Sequence, residues 1–518
     1  MLVRDSVLQT LIGILLLGAL SMSACSKADQ PPTQMASGSS RQTKGTGIVP
    51  PGIELVGQMP AAAPVARFVF PKAAVRVLEN GVRVFVVSDS EQPMVAVRLV
   101  LAGAGSINDP AGKPGVANLT ADLLTQGTAS RSAQQIAEAI DFVGGTLSAG
   151  ADKDGASIAV RVVKKDFALA MDLLSDILLH PAFRKEEMER RRQQALSNLE
   201  VQYSDAGFIS DVVLQRVVYG QHPYGLPGSG TPDALRQIGR EDLVRFWETH
   251  FGPDNALLAF AGDIAPEAAF AAADKYLGRA AWPGRGTRPA TPAVPEPTRG
   301  MHIVCVDKPD ANQSQIRIGR LGIPRNHPDH LPLYVTNRIF GGGFNSRLST
   351  EVRQKKGLTY GAYSSFNSYR QTGDFSASTF TRTETTLEAV RLMVDLIAKM
   401  STGELGPKEL DFARDYIAGV FPIQSETSEQ AAGRIVAVAQ YNLPADYNET
   451  YPQKVLAVGP AQVREMSGRY FDAANLVLVL VGNVKAFREA LQKEFPTAKM
   501  DEIPFAKVNL LAPNLRLP

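Results

Sequence analysis

Six histidines, at positions 180, 222, 250, 302, 327 and 330, are the residues to ask about first, because imidazole binds metals and moves protons near neutral pH. Only His327-Pro328-Asp329-His330 brings two of them close. The proline argues for a loop, where such a pair is solvated rather than metallated. His222 precedes a proline and reads as part of a turn, while His250 and His302 lie beside apolar runs and read as packed. Cys305 sits in the apolar run Met301–Val306 and behaves as a small hydrophobe in a buried strand. Gly341-Gly342-Gly343 has no phosphate-loop motif beside it. Arg353 and Tyr360 lie seven residues apart. A guanidinium and a phenol can both stabilise charge developing on a carbonyl oxygen. By residue type alone, Arg353 reads as a solvated helix residue beside Lys355 and Lys356, and Tyr360 as a strand aromatic.

The chain has 518 residues, 44% hydrophobic, 20% charged and 7% aromatic. That is ordinary globular composition, which excludes a disordered, collagenous or disulfide-stapled chain. Basic and acidic residues number 54 and 52, so no general field is available to collect nucleic acid. An apolar stretch from Val7 to Leu20 follows Arg4 and leads into Ser21, Ser23, Ala24 and Cys25. It is short for a membrane span and fits a secretory signal. The segment resembles a bacterial lipoprotein signal, with Met22 where Leu is usual and Asp5 offsetting Arg4. That implies a signal peptide over 1–24, lipidation of Cys25 and, with Ser26 following, the periplasmic side of the outer membrane. An ordinary cleaved signal or an uncleaved anchor are the alternatives. Residues 25–65, polar and small with no period, form the expected lipid-anchored flexible tether. Membrane contact is expected through the lipid alone.

From about Ala74 the pattern becomes periodic. Val75–Leu78 and Val82–Val87 flank Glu79-Asn80-Gly81 and predict two strands joined by an Asn-Gly turn, with a third strand over Val95–Leu101. Helical spacing follows over 133–142, 167–179, 185–201, 242–251 and 266–277, with a strand over 256–261. Prolines at 283, 289, 292, 295 and 297 mark a linker over 281–299, between an N-terminal domain, 66–280, and a C-terminal domain, 300–518. Asn255 and Gly262 recur as Asn475 and Gly482, each 220 residues on and each on an apolar strand between helices, which indicates duplication. The expected fold class is therefore α+β: two homologous halves, each an antiparallel-rich sheet backed by helices, forming a clam around a cavity. On the same interval, Gly341, Gly342 and Gly343 fall opposite Ala121, Asp122 and Leu123.

Several blocks resemble the pitrilysin/insulinase family of metallopeptidases, which includes the mitochondrial processing peptidase subunits. They are Gly103–Ser106, Gly112–Ala117, Leu123–Thr128, His222–Gly225, Phe344–Leu348 and Glu351–Tyr360, and the resemblance spans roughly 75 to 500. Active members carry H-x-x-E-H, whose i, i+3 and i+4 residues share one helix face, so that two imidazoles grip zinc and the carboxylate takes a proton from bound water. The matching positions here are Asn118, Ala121 and Asp122. The family's third ligand falls near Ser197-Asn198, with Glu200 close by. This half is thus expected to hold no zinc and activate no water. The resemblance also implies that Arg353 and Tyr360 hydrogen-bond the scissile carbonyl of an extended peptide, and that Gly341–Gly343 either line a peptide-binding loop or accommodate a turn. The implied role is the non-catalytic, substrate-binding subunit of a heterodimeric zinc peptidase acting on unfolded peptides. Its homologous partner carries H-x-x-E-H and the zinc, and this chain binds no cofactor. A scaffold or peptide-binding lipoprotein of the same fold is the alternative.

Overall fold

Asn80-Gly81 makes the first turn as its chemistry requires: Gly81 takes φ +98°, and Leu78 N donates to Val82 O across the hairpin at 2.9 Å. The structure is a computed structural model that describes residues 68–284 and 291–517. The expected signal segment, Cys25, the tether and part of the linker lie outside the described residues. The hairpin joins β1 (Ala74–Val77) to β2 (Arg83–Ser88), followed by β3 (Met94–Ala102), β4 (Thr146–Ala151), β5 (Gly155–Val163) and β6 (Ala256–Gly262). They form one six-stranded sheet, ordered β1-β2-β6-β3-β5-β4. The second sheet holds β7 (His302–Asp307), β8 (Gln313–Leu321), β9 (Ala362–Ser368), β10 (Gly373–Arg382), β11 (Val477–Gly482) and β12 (Lys499–Pro504), ordered β12-β7-β11-β8-β10-β9.

The repeat is plain in this order. β2-β6-β3-β5-β4 and β7-β11-β8-β10-β9 are the same five-strand unit, with a parallel pair, β2–β6 or β7–β11, and antiparallel pairs elsewhere. Only the outermost strand differs: β1 joins antiparallel through its hairpin, whereas β12 joins β7 parallel.

Helices α1 (Val116–Leu123), α2 (Ala133–Phe142), α3 (Phe167–Leu179), α4 (Lys185–Ser204), α5 (Ala206–Tyr219), α6 (Pro232–Gln237), α7 (Arg240–His250) and α8 (Pro266–Leu277) belong to the first half. The second carries α9 (His330–Phe340), α10 (Thr386–Ser401), α11 (Glu409–Ile423), α12 (Ser428–Gln440), α13 (Tyr447–Leu456), α14 (Pro460–Tyr470) and α15 (Arg488–Glu494). Two of these helices cover the sheet of the other half. They are exchanged: Val212, Val213 and Val218 of α5 pack on Val304, Val477 and Val479 of the second sheet, while Ala432, Ile435 and Val436 of α12 pack on Phe85, Leu257 and Ala259 of the first. Each sheet is therefore covered on both faces, which explains why β6 and β11 are buried along their whole length.

Buried polar groups also join the halves. Tyr219 Oη donates to Asp374 at 2.7 Å, Asn367 Nδ2 donates to the same carboxylate at 2.9 Å, and Arg370 N donates to Asp154 at 2.9 Å. Tyr224 Oη also donates to Asp154. Lys153 Nζ lies between them, 4.7 Å from the Tyr369 ring centroid and 2.5 Å from Tyr224 O. Burial pulls its ammonium pKa down to about 8.

Candidate functional site

Helix α1 is held at its start by an acid. The Asp109 carboxylate accepts from Gly115 N at 2.8 Å and Ala117 N at 2.7 Å, satisfying amides that the helix itself leaves unpaired. Burial pushes this carboxyl up to about 7, against the pull of those two bonds. On the helix, Asn118 Nδ2 donates to Ala151 O of β4 at 3.4 Å, and the methyl of Ala121 is fully buried. Asp122 is the only carboxylate of the three positions, and it is engaged: Arg191 Nη2 of α4 donates to its Oδ1 at 2.6 Å. Burial raises the Asp122 pKa, while the nearby Arg191 and Arg190 charges oppose the rise.

These residues do not fit a zinc ion. Zinc needs several imidazole, thiolate or carboxylate donors converging on one point. Here there is one carboxylate, already neutralised by a guanidinium. Ser197, Asn198 and Glu200 of α4 are exposed, and it is Arg191, earlier on the same helix, that reaches α1. No cluster of three or more His, Cys, Asp or Glu side chains suited to a metal occurs among the described residues.

The second half places its groups differently. Arg353 lies in a π-helical turn, Ser349–Lys355, with its guanidinium 4.4 Å from the Phe344 ring centroid. Tyr360 is 84% exposed and makes no side-chain hydrogen bond among the described residues. No hydrogen bond or ion pair among those residues joins this pair to Asn118 or Asp122.

The three glycines require a correction. They follow α9, with Gly341 as its C-cap, rather than standing opposite Ala121–Leu123. Helix α9 packs on β9 as α1 packs on β4, so the two helices are counterparts, and loops of unequal length break the constant interval. The glycines permit close approach. A Cβ on Gly341 would lie 2.8 Å from Ser364 N, and one on Gly343 would strike the Arg338 guanidinium. Arg338 is thereby laid on the Tyr416 ring, 3.5 Å from its centroid.

Most histidines sit as the sequence suggests. His222 Nδ1 accepts from Tyr224 N at 3.1 Å in a turn, His250 stacks on Phe246, and His302 Nε2 lies 2.7 Å from Asp501. His330 does not: it begins α9 rather than lying in a solvated loop, and burial beside Arg325 takes its pKa down to about 3.

Two family models match the chain, "Insulinase (Peptidase family M16)" over residues 83–226 and "Peptidase M16 inactive domain" over residues 237–417. The chain belongs to the insulinase (M16) family. A crystal structure of a "peptidase M16 inactive domain" from Pseudomonas fluorescens superposes with TM-score 0.74 at 29% identity, covering 79% of this chain and 98% of that one. A protease from Helicobacter pylori has the same fold, with TM-score 0.74, 21% identity, and coverage of 80% and 100%. Among M16 relatives, the "Uncharacterized zinc protease YmxG" of Bacillus subtilis is 25% identical over 69% of this chain and 85% of its own length. The "Non-peptidase homolog YmxG" of Helicobacter pylori is 22% identical over 76% and 90%. This M16 chain is an inactive homologue of the family's peptidases, and Asn118, Ala121 and Asp122 stand where the sequence resemblance places the metal triad.

Proposed function

We propose that this chain is the non-catalytic, substrate-binding subunit of a heterodimeric zinc peptidase, lipid-anchored through Cys25 on the periplasmic side of the outer membrane. The observation that carries the reading is the Asp122–Arg191 pair, on the helix where the resemblance places the metal triad of active members. A chain that spends its only carboxylate there on an internal ion pair needs the metal, and the base that activates water, from a homologous subunit carrying H-x-x-E-H. Arg353 and Tyr360 then serve as carbonyl-binding donors for an unfolded peptide, and the Gly341–Gly343 turn lets that peptide pass close to the backbone. β4 and β9, one edge strand of each sheet, offer main-chain groups to which an extended peptide adds with little side-chain selectivity, apart from Ser364, whose N donates to Gly341 O and whose O accepts from Asn337 Nδ2.

The test is co-purification from membranes followed by a peptide-cleavage assay. Cleavage is expected only with the partner present, and is expected to fall when Arg353 or Tyr360 is replaced. A scaffold or peptide-binding role without proteolysis is the second reading, favoured by the non-peptidase name of the Helicobacter pylori relative. It predicts that no catalytic partner co-purifies.

A further inference from the structure

Behind the N-terminus of α9 lies a cavity of about 400 Å³, within the range of sites that hold small ligands. Its polar wall carries Arg325, His330, Tyr447 and Lys454; its other walls include Leu331, Pro332, Leu443 and Pro444. No carboxylate is among the described residues lining it.

The charges there are unbalanced. Arg325 is half-buried and bonds only neutral groups: Nη1 lies 3.0 Å from His330 Nδ1, and Nη2 donates to Tyr447 Oη at 3.1 Å. Because His330 is neutral and its Nδ1 accepts from Arg325, its proton resides on Nε2, a further donor. Arg434, close enough to Arg325 to be repelled by it, bonds only Gln424 and stacks on Phe421, again without an acid. Neither acid beside the starts of α9 and α13 is paired with Arg325. Asp329, 3.9 Å from His327, accepts from Tyr470 Oη at 2.6 Å and from Arg469. Asp446 stands 3.8 Å from Lys454 and offsets that ammonium, so the cation left without an acid is Arg325. Holding a half-buried guanidinium without a counter-charge has a cost, and a ligand oxyanion relieves it.

We infer that this cavity is a binding site for a small amphiphilic oxyanion: a carboxylate or phosphate head held by Arg325, His330, Tyr447 and Lys454, with an apolar body against the leucine and proline walls. The inference is independent of the proteolytic reading, since none of these residues belongs to α1 or the Arg353–Tyr360 turn.

Isothermal titration of the full chain tests it, with benzoate and phenyl phosphate as probes, benzyl alcohol as the neutral comparator and inorganic phosphate as the head group alone. Saturable binding of at least one aromatic oxyanion, one per chain, is expected, with both comparators much weaker. Arg325→Gln should weaken that binding about tenfold or more, the worth of a charge-assisted hydrogen bond. Lys454→Met, on a side chain 44% exposed and so safe for folding, should weaken it roughly threefold. If Arg325→Gln does not fold, Lys454→Met decides. Absence of saturable binding, equal binding of either comparator, or an affinity that the folded variants leave unchanged overturns the inference.

Discussion

Helix α1 of the first half and the Arg353–Tyr360 turn of the second treat their polar groups in different ways. At α1, Asn118 is committed to a strand carbonyl, Asp122 to Arg191, and Asp109, just before the helix, to its first amides, while Thr120 Oγ1 is buried without a hydrogen-bond partner among the described residues. On the turn, the Tyr360 hydroxyl has no hydrogen-bond partner among the described residues and Arg353 rests on an aromatic face. A group committed internally contributes to folding and is closed to chemistry. A group left open adds little to stability and is available to a ligand. Substitutions in the first region should therefore be read in stability, and those at the Arg353–Tyr360 pair in partner-dependent activity.

The largest expected effect is on pH dependence. Folding raises the Asp109 pKa from 3.8 to about 7, so the folded state holds this proton more tightly than the unfolded chain does. The stability it contributes is complete below pH 3.8 and is lost as pH rises through about 7. The span is on the order of 4 kcal/mol, at 1.36 kcal/mol per unit. Asp109→Asn should flatten the stability–pH curve over that window relative to the wild type, as followed by thermal melts; parallel curves would place Asp109 among the freely titrating acids.

Gly341→Ala should cost about 1–3 kcal/mol, because its methyl meets the β9 backbone at 2.8 Å and that strand is hydrogen-bonded on its inner side. Urea unfolding measures it, and a neutral result would show that the α9–β9 approach is looser than described. Arg191→Ala should cost about 1 kcal/mol, a modest figure because the Asp122 and Arg191 side chains are 36% and 24% exposed. It should not restore zinc binding, since a lone carboxylate remains. Tyr360→Phe should leave stability within about 0.5 kcal/mol while lowering cleavage in the presence of the catalytic partner. A large loss of stability there would erase the contrast between the two regions.

Much of this was legible in the sequence because it depends on short-range pattern. The Asn-Gly hairpin, the helices over 133–142 and 266–277 and the strand before Gly262 all follow from residues within one element or one turn of each other. What stayed hidden is long-range. The apolar face of α5 announces burial but not that its partner is the other half's sheet, and α12 is silent in the same way. Arg191 is one of three consecutive arginines on a charged helix, and nothing in that run singles out the one that reaches back to Asp122. His330 reads as solvated because its proline neighbour suggests a loop, whereas the turn ends at once in α9 and half-buries the imidazole. The glycine run was misplaced because a fixed repeat interval cannot absorb a change in loop length.

Zinc analysis of the isolated full chain, run alongside a peptide-cleavage assay with and without chelator, is the most direct test. The account predicts metal well below one equivalent per chain and no cleavage under either condition. One tightly retained zinc per chain together with chelator-sensitive cleavage would contradict it.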